Sequence, residues 1–180
     1  MKSCNKISNS TDNHQPSLGI NSVYAIENDK DNDGSAMDFY DGKYPLGPYN
    51  PKIDDFSLVY INSTVNLGVI TRRAFEPEQI VAQIHGEIVS DIRQHTLQLG
   101  PGTHIYDPYF SGYISHSCDP NIRLETETCQ LIAIKAISPY QRLSMDYTDS
   151  EDILFKSFPC SCGSTQCRGW IQGKKESNQR

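Results

Sequence analysis

The chain has 180 residues, of which 37% are hydrophobic and 21% charged, with a formal net charge of −6 and a pI near 5.3. This length accommodates one domain of about 100–150 residues with polar tails. The negative charge disfavours a general nucleic-acid-binding role, because phosphate neutralisation needs an excess of lysine and arginine. We therefore expect no direct nucleic-acid binding, and an acidic surface favours a basic partner instead.

Targeting signals are not apparent in the sequence. No run approaches the roughly 18–20 apolar residues of a membrane span, and residues 1–30 lack the apolar core of a signal peptide. We expect no membrane partner and an intracellular location, cytoplasmic by default, with a nuclear location or export into a host still open. The six cysteines fit that expectation if they bind metal or stay reduced.

Residues 1–50 are rich in Ser, Asn, Asp, Gly and Pro and show no sustained apolar period. Such a segment buries too little apolar surface to offset its ordering entropy, so we predict a disordered or loosely docked polar tail. Cys4 lies in this tail and is interpreted as a bystander. The tyrosine-rich piece at 39–49, F-Y-D-G-K-Y-P-L-G-P-Y, is too aromatic for a simple linker and is a candidate for docking on the domain.

Short β-branched segments predict strands from near Phe56 onward. Residues 57–61 and 65–71 are predicted to pair, and Gly68 marks either a bulge or a close approach to the backbone. A third strand at 80–84 is predicted to continue at 86–89 after a break. Residues 96–99 and 103–105 predict a hairpin around a glycine-rich loop, and later strands are predicted at 121–124, 130–137 and 142–145. No long segment shows a helical period, so the predicted domain is mainly β.

The stretch 113–121 reads Y-I-S-H-S-C-D-P-N and places His116 and Cys118 directly before a turn. Asp-Pro-Asn is strong turn chemistry, because proline fixes φ and the Asp and Asn side chains bond their own backbone. A tight turn at this point indicates that the preceding side chains are aimed at a site.

A C-x-C-x4-C array lies near the C-terminus, formed by Cys160, Cys162 and Cys167. Three thiolates so close together suit a tetrahedral zinc ion, but a structural zinc site is closed by four ligands. Cys129 opens an apolar strand and is interpreted as a small buried hydrophobe. We therefore predict Cys118 as the fourth ligand and a structural zinc ion. The alternative is that the three cysteines are reduced surface thiols or disulfides.

Together these pieces resemble the SET-domain family of protein-lysine methyltransferases. The family pattern R-F-[IVA]-N-H-S-C-x-P-N is met by G-Y-I-S-H-S-C-D-P-N at 112–121, and E-[EL]-L-[ST]-[FY]-D-Y by Q-R-L-S-M-D-Y at 141–147. The family's post-SET zinc segment, C-x-C-G-x3-C-x-G, matches 160–169 in full. The early G-x-G-V-[FY]-A is partly met by N-L-G-V-I-T at 66–71, and the I-x-x-Y-x-G-E-[VI]-[IV] segment by I-V-A-Q-I-H-G-E-I-V at 80–89. The short insert between Glu87 and His116 is similar to compact bacterial-type members.

The resemblance covers roughly residues 57–173 and implies the mainly β SET-domain β-clip fold. In that fold the C-terminal segment passes under the loop that carries His116, forming a pseudoknot, which is an exception to the usual rule against threaded connections. The implied organisation is a polar tail over 1–50, a SET domain over 56–150, a post-SET zinc segment over 151–173 and a tail over 174–180.

The resemblance further implies transfer of a methyl group from S-adenosylmethionine to the ε-amine of a lysine in a protein or peptide substrate, with that lysine in a basic segment. The amine must be neutral to react, and deprotonating lysine at pH 7 costs roughly 4–5 kcal/mol. A cationic sulfonium and a desolvated channel both lower that cost. Tyr147 matches the family's catalytic tyrosine, and five residues match its cofactor-binding positions: Leu67, Gly68, Ser115, His116 and Trp170.

Four residues depart from the family pattern, namely Asn66, Gly112, Ser115 and Met145. Ser115 replaces an asparagine that contacts the cofactor in the family, and the shorter hydroxyl cannot reproduce the donor and acceptor of the amide. Met145 occupies the position that tunes how many methyl groups are added, so multiple methylation is expected to be sterically possible. These departures keep two alternatives open, a catalytically impaired SET-like module that binds a peptide and a zinc-stabilised scaffold.

Overall fold

The computed structural model describes residues 38–61 and 66–176. Its short strands are β1 Phe56–Tyr60, β2 Leu67–Thr71, β3 Ile80–Gln83, β4 Glu87–Val89, β5 Thr96–Gly100, β6 Thr103–Tyr106, β7 Ser115–His116, β8 Ile122–Glu125, β9 Gln130–Ala133, β10 Ser144–Met145, β11 Phe158–Pro159 and β12 Trp170–Ile171. A 3₁₀ turn, Ser111–Tyr113, precedes β7, and one α-helix, α1 Tyr147–Ser150, follows β10. None of the helices in these two ranges could cross a membrane. Cys4 and most of the predicted N-terminal tail lie outside the described residues.

The predicted mainly β class is confirmed, and the strands form small sheets rather than one large one. The central ones have the orders β3-β9-β8 and β4-β6-β5, and the predicted hairpin is the β5-β6 pair. The predicted continuation of the third strand is wrong, because β3 pairs with β9 whereas β4 pairs with β6. Gly86 lies at this switch between sheets, where a side chain would collide with the backbone of Tyr106.

Gly68 lies in β2, which pairs with β1 in an unbroken antiparallel register. The bulge alternative is therefore wrong, since a bulge requires an extra unpaired residue. A Cβ atom at this position would lie 2.6 Å from Cδ1 of Ile61 and 3.1 Å from Oγ of Ser115. The absence of a side chain is what allows β2 to approach the loop that carries Ser115.

The hydrophobic core lies between the sheets and is rich in aromatic and β-branched side chains. The Phe56 ring packs edge-on against Phe110 at 5.1 Å and is stacked on Phe75 at 6.1 Å, and all three are buried. Each such side chain contributes about 1.5–3 kcal/mol relative to an exposed one. This core fixes the 3₁₀ turn that directly follows Phe110.

Residues 38–52, here called the N-terminal strap, pack against the domain. Tyr40 is fully buried, and its hydroxyl donates to Oδ2 of Asp107 at 3.0 Å and accepts from the amide of His85 at 3.0 Å. Packed structure therefore begins before Phe56, where the sequence predicted it to begin. The aromatic piece at 39–49 was a candidate for docking on the domain, and the burial of Tyr40 confirms that it docks. The partners of Tyr40 lie 67 and 45 residues away, so the sequence pattern did not specify them.

Two segments that are distant in sequence meet where β7 pairs in parallel with β10. Asn121 is buried in the turn after β7, and its side chain accepts from the amide of Ser144 at 2.8 Å and donates to the carbonyl of Arg142 at 2.8 Å. The turn predicted at 119–121 thus also holds β10 in place. This pairing brings Ser115 and His116 alongside the strand that leads into Tyr147.

Candidate active site and thiol cluster

A groove of about 1170 Å³ runs along the surface where β7, the start of α1 and the C-terminal segment meet. Its wall includes four of the predicted catalytic and cofactor-binding residues, Leu67, Ser115, His116 and Tyr147. Gly68 lies directly behind Ser115, as its close approach to the Ser115 hydroxyl shows. The structure therefore brings together predicted residues that lie up to 80 positions apart in the sequence.

Tyr147 begins α1, and its hydroxyl donates to the carbonyl oxygen of Ile114 at 2.7 Å. Burial, with a smaller contribution from the carboxylate of Glu151, raises the pKa of Tyr147 to about 12. The hydroxyl therefore keeps its proton near neutral pH. Because that proton is directed at Ile114, the oxygen lone pairs stay able to accept hydrogen bonds from a bound group.

Asp146 caps α1 and accepts from the amide of Thr148 at 3.0 Å. The same carboxylate oxygen accepts from the guanidinium of Arg168 at 2.6 Å, and Arg168 also donates to the Thr148 hydroxyl at 2.8 Å. Burial alone would raise the pKa of Asp146, but the hydrogen bonds from Arg168 and Thr148 hold it below its usual value. Arg168 thereby ties the C-terminal segment to the residue that positions Tyr147.

His116 has both ring nitrogens engaged. Nδ1 accepts from the backbone amide of Tyr147 at 3.3 Å, and Nε2 lies 3.5 Å from Sγ of Cys118. Burial lowers the pKa of His116, the carboxylate of Asp146 opposes this, and Arg168 lowers the pKa further. A neutral ring fits these contacts, since Nδ1 is then the acceptor and Nε2 carries the proton.

Trp170, predicted to pack on a cofactor, is 45% exposed in β12 and is not part of the groove wall. The aromatic side chains on the wall from the C-terminal segment are Phe155 and Phe158, the latter in the strand paired with β12. The Phe158 ring lies 5.8 Å from His116 and 6.1 Å from Tyr147. The cofactor role of Trp170 stays a prediction.

The sequence did not identify His95, which lies in the loop before β5 and on the groove wall. Its Nδ1 lies 2.9 Å from the carbonyl oxygen of Gly112, and its ring lies 4.8 Å from that of Tyr113. A Cβ atom on Gly112 would approach Cβ of His95 to 2.6 Å. Gly112, which stands where the family has an arginine, therefore leaves room for His95. This departure from the family pattern was the feature of the sequence that could have indicated His95.

Met145, the predicted determinant of methylation number, is 2% exposed and pairs with His116 in the β7-β10 register. It lies behind the groove wall rather than on it. The expectation of multiple methylation stays a prediction.

Four thiols converge beside the groove, and they are the four predicted zinc ligands: Cys118, Cys160, Cys162 and Cys167. Their sulfur atoms all lie within 4.8 Å of one another, and those of Cys118 and Cys160 are 3.8 Å apart. Zinc–sulfur bonds of about 2.3 Å in a tetrahedron place the sulfur atoms about 3.8 Å apart. The thiols therefore fit a zinc ion. Cys129, interpreted as a small hydrophobe, is fully buried in the core, but it is disulfide-bonded rather than a free thiol.

Comparisons with known proteins agree with this geometry, although no protein-family model matches the chain. A crystal structure of KRYPTONITE in complex with mCHG DNA and SAH superimposes with a TM-score of 0.52 and 24% identity, over 64% of this chain and 29% of that one. The chain folds as a SET domain. A second KRYPTONITE complex, with mCHH DNA, an H3(1–15) peptide and SAH, gives the same TM-score at 22% identity.

Several relatives of this chain are named as histone-lysine N-methyltransferases. The chain is 24% identical over 142 residues to histone-lysine N-methyltransferase Set2 of Drosophila melanogaster, and 30% identical over 118 residues to ash1 of the same organism. These matches cover 62% and 60% of the chain but 6% and 5% of the relatives. Methyltransferase flvH of Aspergillus flavus is 29% identical over 83 residues, 45% of this chain and 47% of that protein.

Proposed function

We propose that this SET domain transfers a methyl group from S-adenosylmethionine to the ε-amine of a lysine in a protein substrate. The observation that carries the proposal is the Tyr147 hydroxyl, fixed on the Ile114 carbonyl in a groove that also presents Ser115 and His116. The relatives named as lysine methyltransferases support the same reaction.

Tyr147 orients the acceptor amine in this proposal. Its oxygen accepts a hydrogen bond from an amine N–H while its own O–H continues to donate to the Ile114 carbonyl. S-adenosylmethionine, when bound, supplies a methyl group on a sulfonium, which the amine lone pair attacks in line. Fixing the amine along that line replaces a bimolecular encounter, and such positioning supplies much of the rate in reactions of this kind.

The groove fits a bound nucleoside cofactor and a lysine side chain together. Its volume of about 1170 Å³ exceeds the roughly 300–1,000 Å³ that single-ligand sites commonly occupy. Leu67 and Ser115 would contact the cofactor from one side, with the bare backbone of Gly68 behind them. The Ser115 hydroxyl offers one donor where the family asparagine offers two, so a water molecule would complete that contact.

A structural zinc ion held by the four clustered thiolates is the second part of the proposal. Cys160 and Cys162 are also on the groove wall, next to Phe158. Metal binding would therefore fix one wall of the groove, because the ligands are brought together only in the folded chain. With four protein ligands the ion has no open position, so its role is structural.

The proposed substrate is a lysine in a basic protein segment. Support comes from the net charge of −6 and from the H3(1–15) peptide bound to the structural neighbour. The groove wall itself includes Arg93, Arg142 and Lys156 and the single carboxylate of Glu151. Attraction of a basic segment would thus come from surfaces around the groove rather than from its wall.

Calorimetry with S-adenosylmethionine, followed by transfer of its labelled methyl group to lysine peptides, tests the proposal. Peptides with basic and with neutral flanks, plus a control with norleucine in place of lysine, separate recognition of the amine from recognition of the flanks. We expect cofactor binding and label on lysine peptides alone. Cofactor binding without transfer to these peptides or to a cell lysate would favour the peptide-binding module, and absence of both would exclude the enzyme.

A further inference from the structure

One histidine on the groove wall has no role in the proposed mechanism. His95 is partly buried at the base of β5, with a left-handed backbone at φ +70°. This conformation is uncommon for a residue other than glycine and is typical of positions that the surrounding structure over-determines. Two contacts to the 3₁₀ turn hold His95 there, the hydrogen bond to the Gly112 carbonyl and the packing against the Tyr113 ring.

The hydrogen bond to Gly112 fixes the tautomer of His95. A carbonyl oxygen only accepts, so Nδ1 must carry the proton in the 2.9 Å contact with Gly112. In a neutral ring this leaves Nε2 with a lone pair. Among residues 38–61 and 66–176, Nε2 of His95 has no hydrogen-bond partner.

His95 and Tyr147 are attached to the same short segment. Nδ1 of His95 bonds the carbonyl of Gly112, and the hydroxyl of Tyr147 bonds the carbonyl of Ile114. Two residues of chain span at most about 7 Å. Both residues also line the same groove, so a lysine side chain that enters it toward the Tyr147 oxygen has access to the imidazole of His95.

Most other ionisable groups on the wall are engaged or already carry a proton, and the thiols of Cys160 and Cys162 belong to the proposed zinc site. Arg93, Arg142 and Lys156 are cations, and Tyr113 and Tyr147 have raised pKa values, both chiefly through burial. The Glu151 carboxylate accepts from the Gln98 amide at 2.9 Å and from the Ser150 hydroxyl at 3.1 Å, both at Oε1. Oε2 of Glu151 is thus the competing acceptor, and Glu151→Gln should keep the wild-type pH profile of methyl transfer if His95 is the base. The remaining imidazole, His116, uses both nitrogens as described above.

We propose that Nε2 of His95 accepts the proton of the incoming lysine ammonium before methyl transfer, an inference that rests on the proposed function. The Nζ–H bond breaks, an N–H bond forms on Nε2, and the electron pair stays on Nζ. That pair then forms the bond to the methyl carbon as the carbon–sulfur bond breaks toward sulfur. The imidazolium afterwards returns its proton to water. Histidine suits this exchange because it gains and loses a proton near neutral pH.

The substitution His95→Asn tests this role, because an asparagine amide can still donate to Gly112 but offers no base. Near pH 7 about one lysine in 10³ is neutral, so loss of the base should lower kcat roughly 10- to 100-fold. The deficit should shrink steadily toward about pH 9.5, where solvent deprotonates lysine unaided. His85→Asn, which changes a histidine outside this groove, should show no such pH-dependent recovery.

A second readout needs no variant. Nitrogen NMR of the histidine rings in the wild-type chain should show His95 protonated on Nδ1 and bare on Nε2. A proton on Nε2, or parallel pH profiles for wild type and His95→Asn, would overturn the inference while leaving methyl transfer intact. If the wild-type chain transfers no methyl group at all, the proposed function fails and this inference fails with it.

Discussion

Tyr147 shows how much of the site depends on single contacts to the backbone. Its hydroxyl donates a hydrogen bond to the carbonyl oxygen of Ile114, and its backbone amide donates one to Nδ1 of His116. Both partners lie in the stretch 113–121, which the sequence had already marked as a site. The spacing of His116 and Tyr147 in the sequence does not indicate that they are in contact. The two residues were predicted to share a site only because both match the family motifs.

Glu151 gives a residue-scale prediction about stability. Burial raises the pKa of its carboxyl above the ordinary value of 4.5. The folded state then holds the proton more strongly than the unfolded state, so stability falls as the pH rises from the unfolded pKa through the raised folded pKa. Glu151→Gln keeps the acceptor for the Gln98 amide and removes this loss.

Urea unfolding at several pH values between about 4 and 8 measures this effect. We expect the free energy of unfolding of the glutamine variant to increase relative to that of wild type as the pH rises. A constant difference between the two proteins across the range would contradict the prediction.

The residues that the sequence did not identify share one property, which is that their partners are distant. His95 meets Gly112 across 17 residues, and Arg168 meets Asp146 across 22. Neither side chain belongs to a motif with a chemical signature. Cysteines and the His-Ser-Cys stretch were predictable, because metal ligation and turn formation restrict residue type and spacing locally.

At the scale of elements, the short helix α1 is held between β10 and the C-terminal segment. Arg168 bonds the cap residue Asp146, and its backbone amide donates to Sγ of Cys118 at 3.4 Å. The thiol cluster and the helix that begins with Tyr147 are therefore linked by one residue, through its backbone amide and its side chain. This link predicts that loss of the contact between Arg168 and Asp146 slows methyl transfer while the free energy of unfolding changes little.

Arg168→Ala tests the link. The guanidinium is 40% exposed, so its loss should cost no more than about 1 kcal/mol of stability. Methyl transfer should nevertheless fall about 10-fold, because misplacing a reacting group by a fraction of an ångström is costly. Arg123→Ala is the matched control, since Arg123 is 41% exposed and pairs with Glu78 and Glu125 away from the groove. Equal rates for the two variants would contradict the link.

Metal removal gives a second prediction at this scale. A chelator should lower the Tm by more than about 5 °C and abolish methyl transfer, and added zinc should restore both. A variant with Cys160→Ser and Cys162→Ser should not respond to either addition, because two of its ligands are gone. The structural zinc site would be contradicted if the wild-type protein contains no zinc by elemental analysis and the chelator leaves its Tm and its rate of methyl transfer unchanged.

At the scale of the whole molecule, the N-terminal strap is connected to the candidate active site through Asp107. Tyr40 donates to Oδ2 of Asp107, and the Ser111 hydroxyl donates to the same oxygen at 2.6 Å. Ser111 opens the 3₁₀ turn from which Gly112 and Ile114 present their carbonyls. Composition predicted a polar tail through residue 50, because a single buried tyrosine does not alter the average character of a segment.

Tyr40→Phe should therefore destabilise the fold. The change leaves the His85 amide without its buried acceptor, which costs about 1–3 kcal/mol. Denaturant unfolding measures the difference, and Tyr140→Phe is the control because Tyr140 is 74% exposed. Indistinguishable unfolding midpoints for the two variants would show that the strap does not contribute to stability.

The most direct test of the account is the mass of a lysine peptide after incubation with S-adenosylmethionine and either the wild-type chain or Tyr147→Phe. Wild type should add methyl groups to lysine, and the variant should be slower by at least about 100-fold while still binding the cofactor. The variant keeps the ring beside His116 and Phe158 and loses only the hydroxyl. An unmodified peptide with wild type, or equal rates for the two proteins, would contradict the assignment of Tyr147 as the residue that orients the amine.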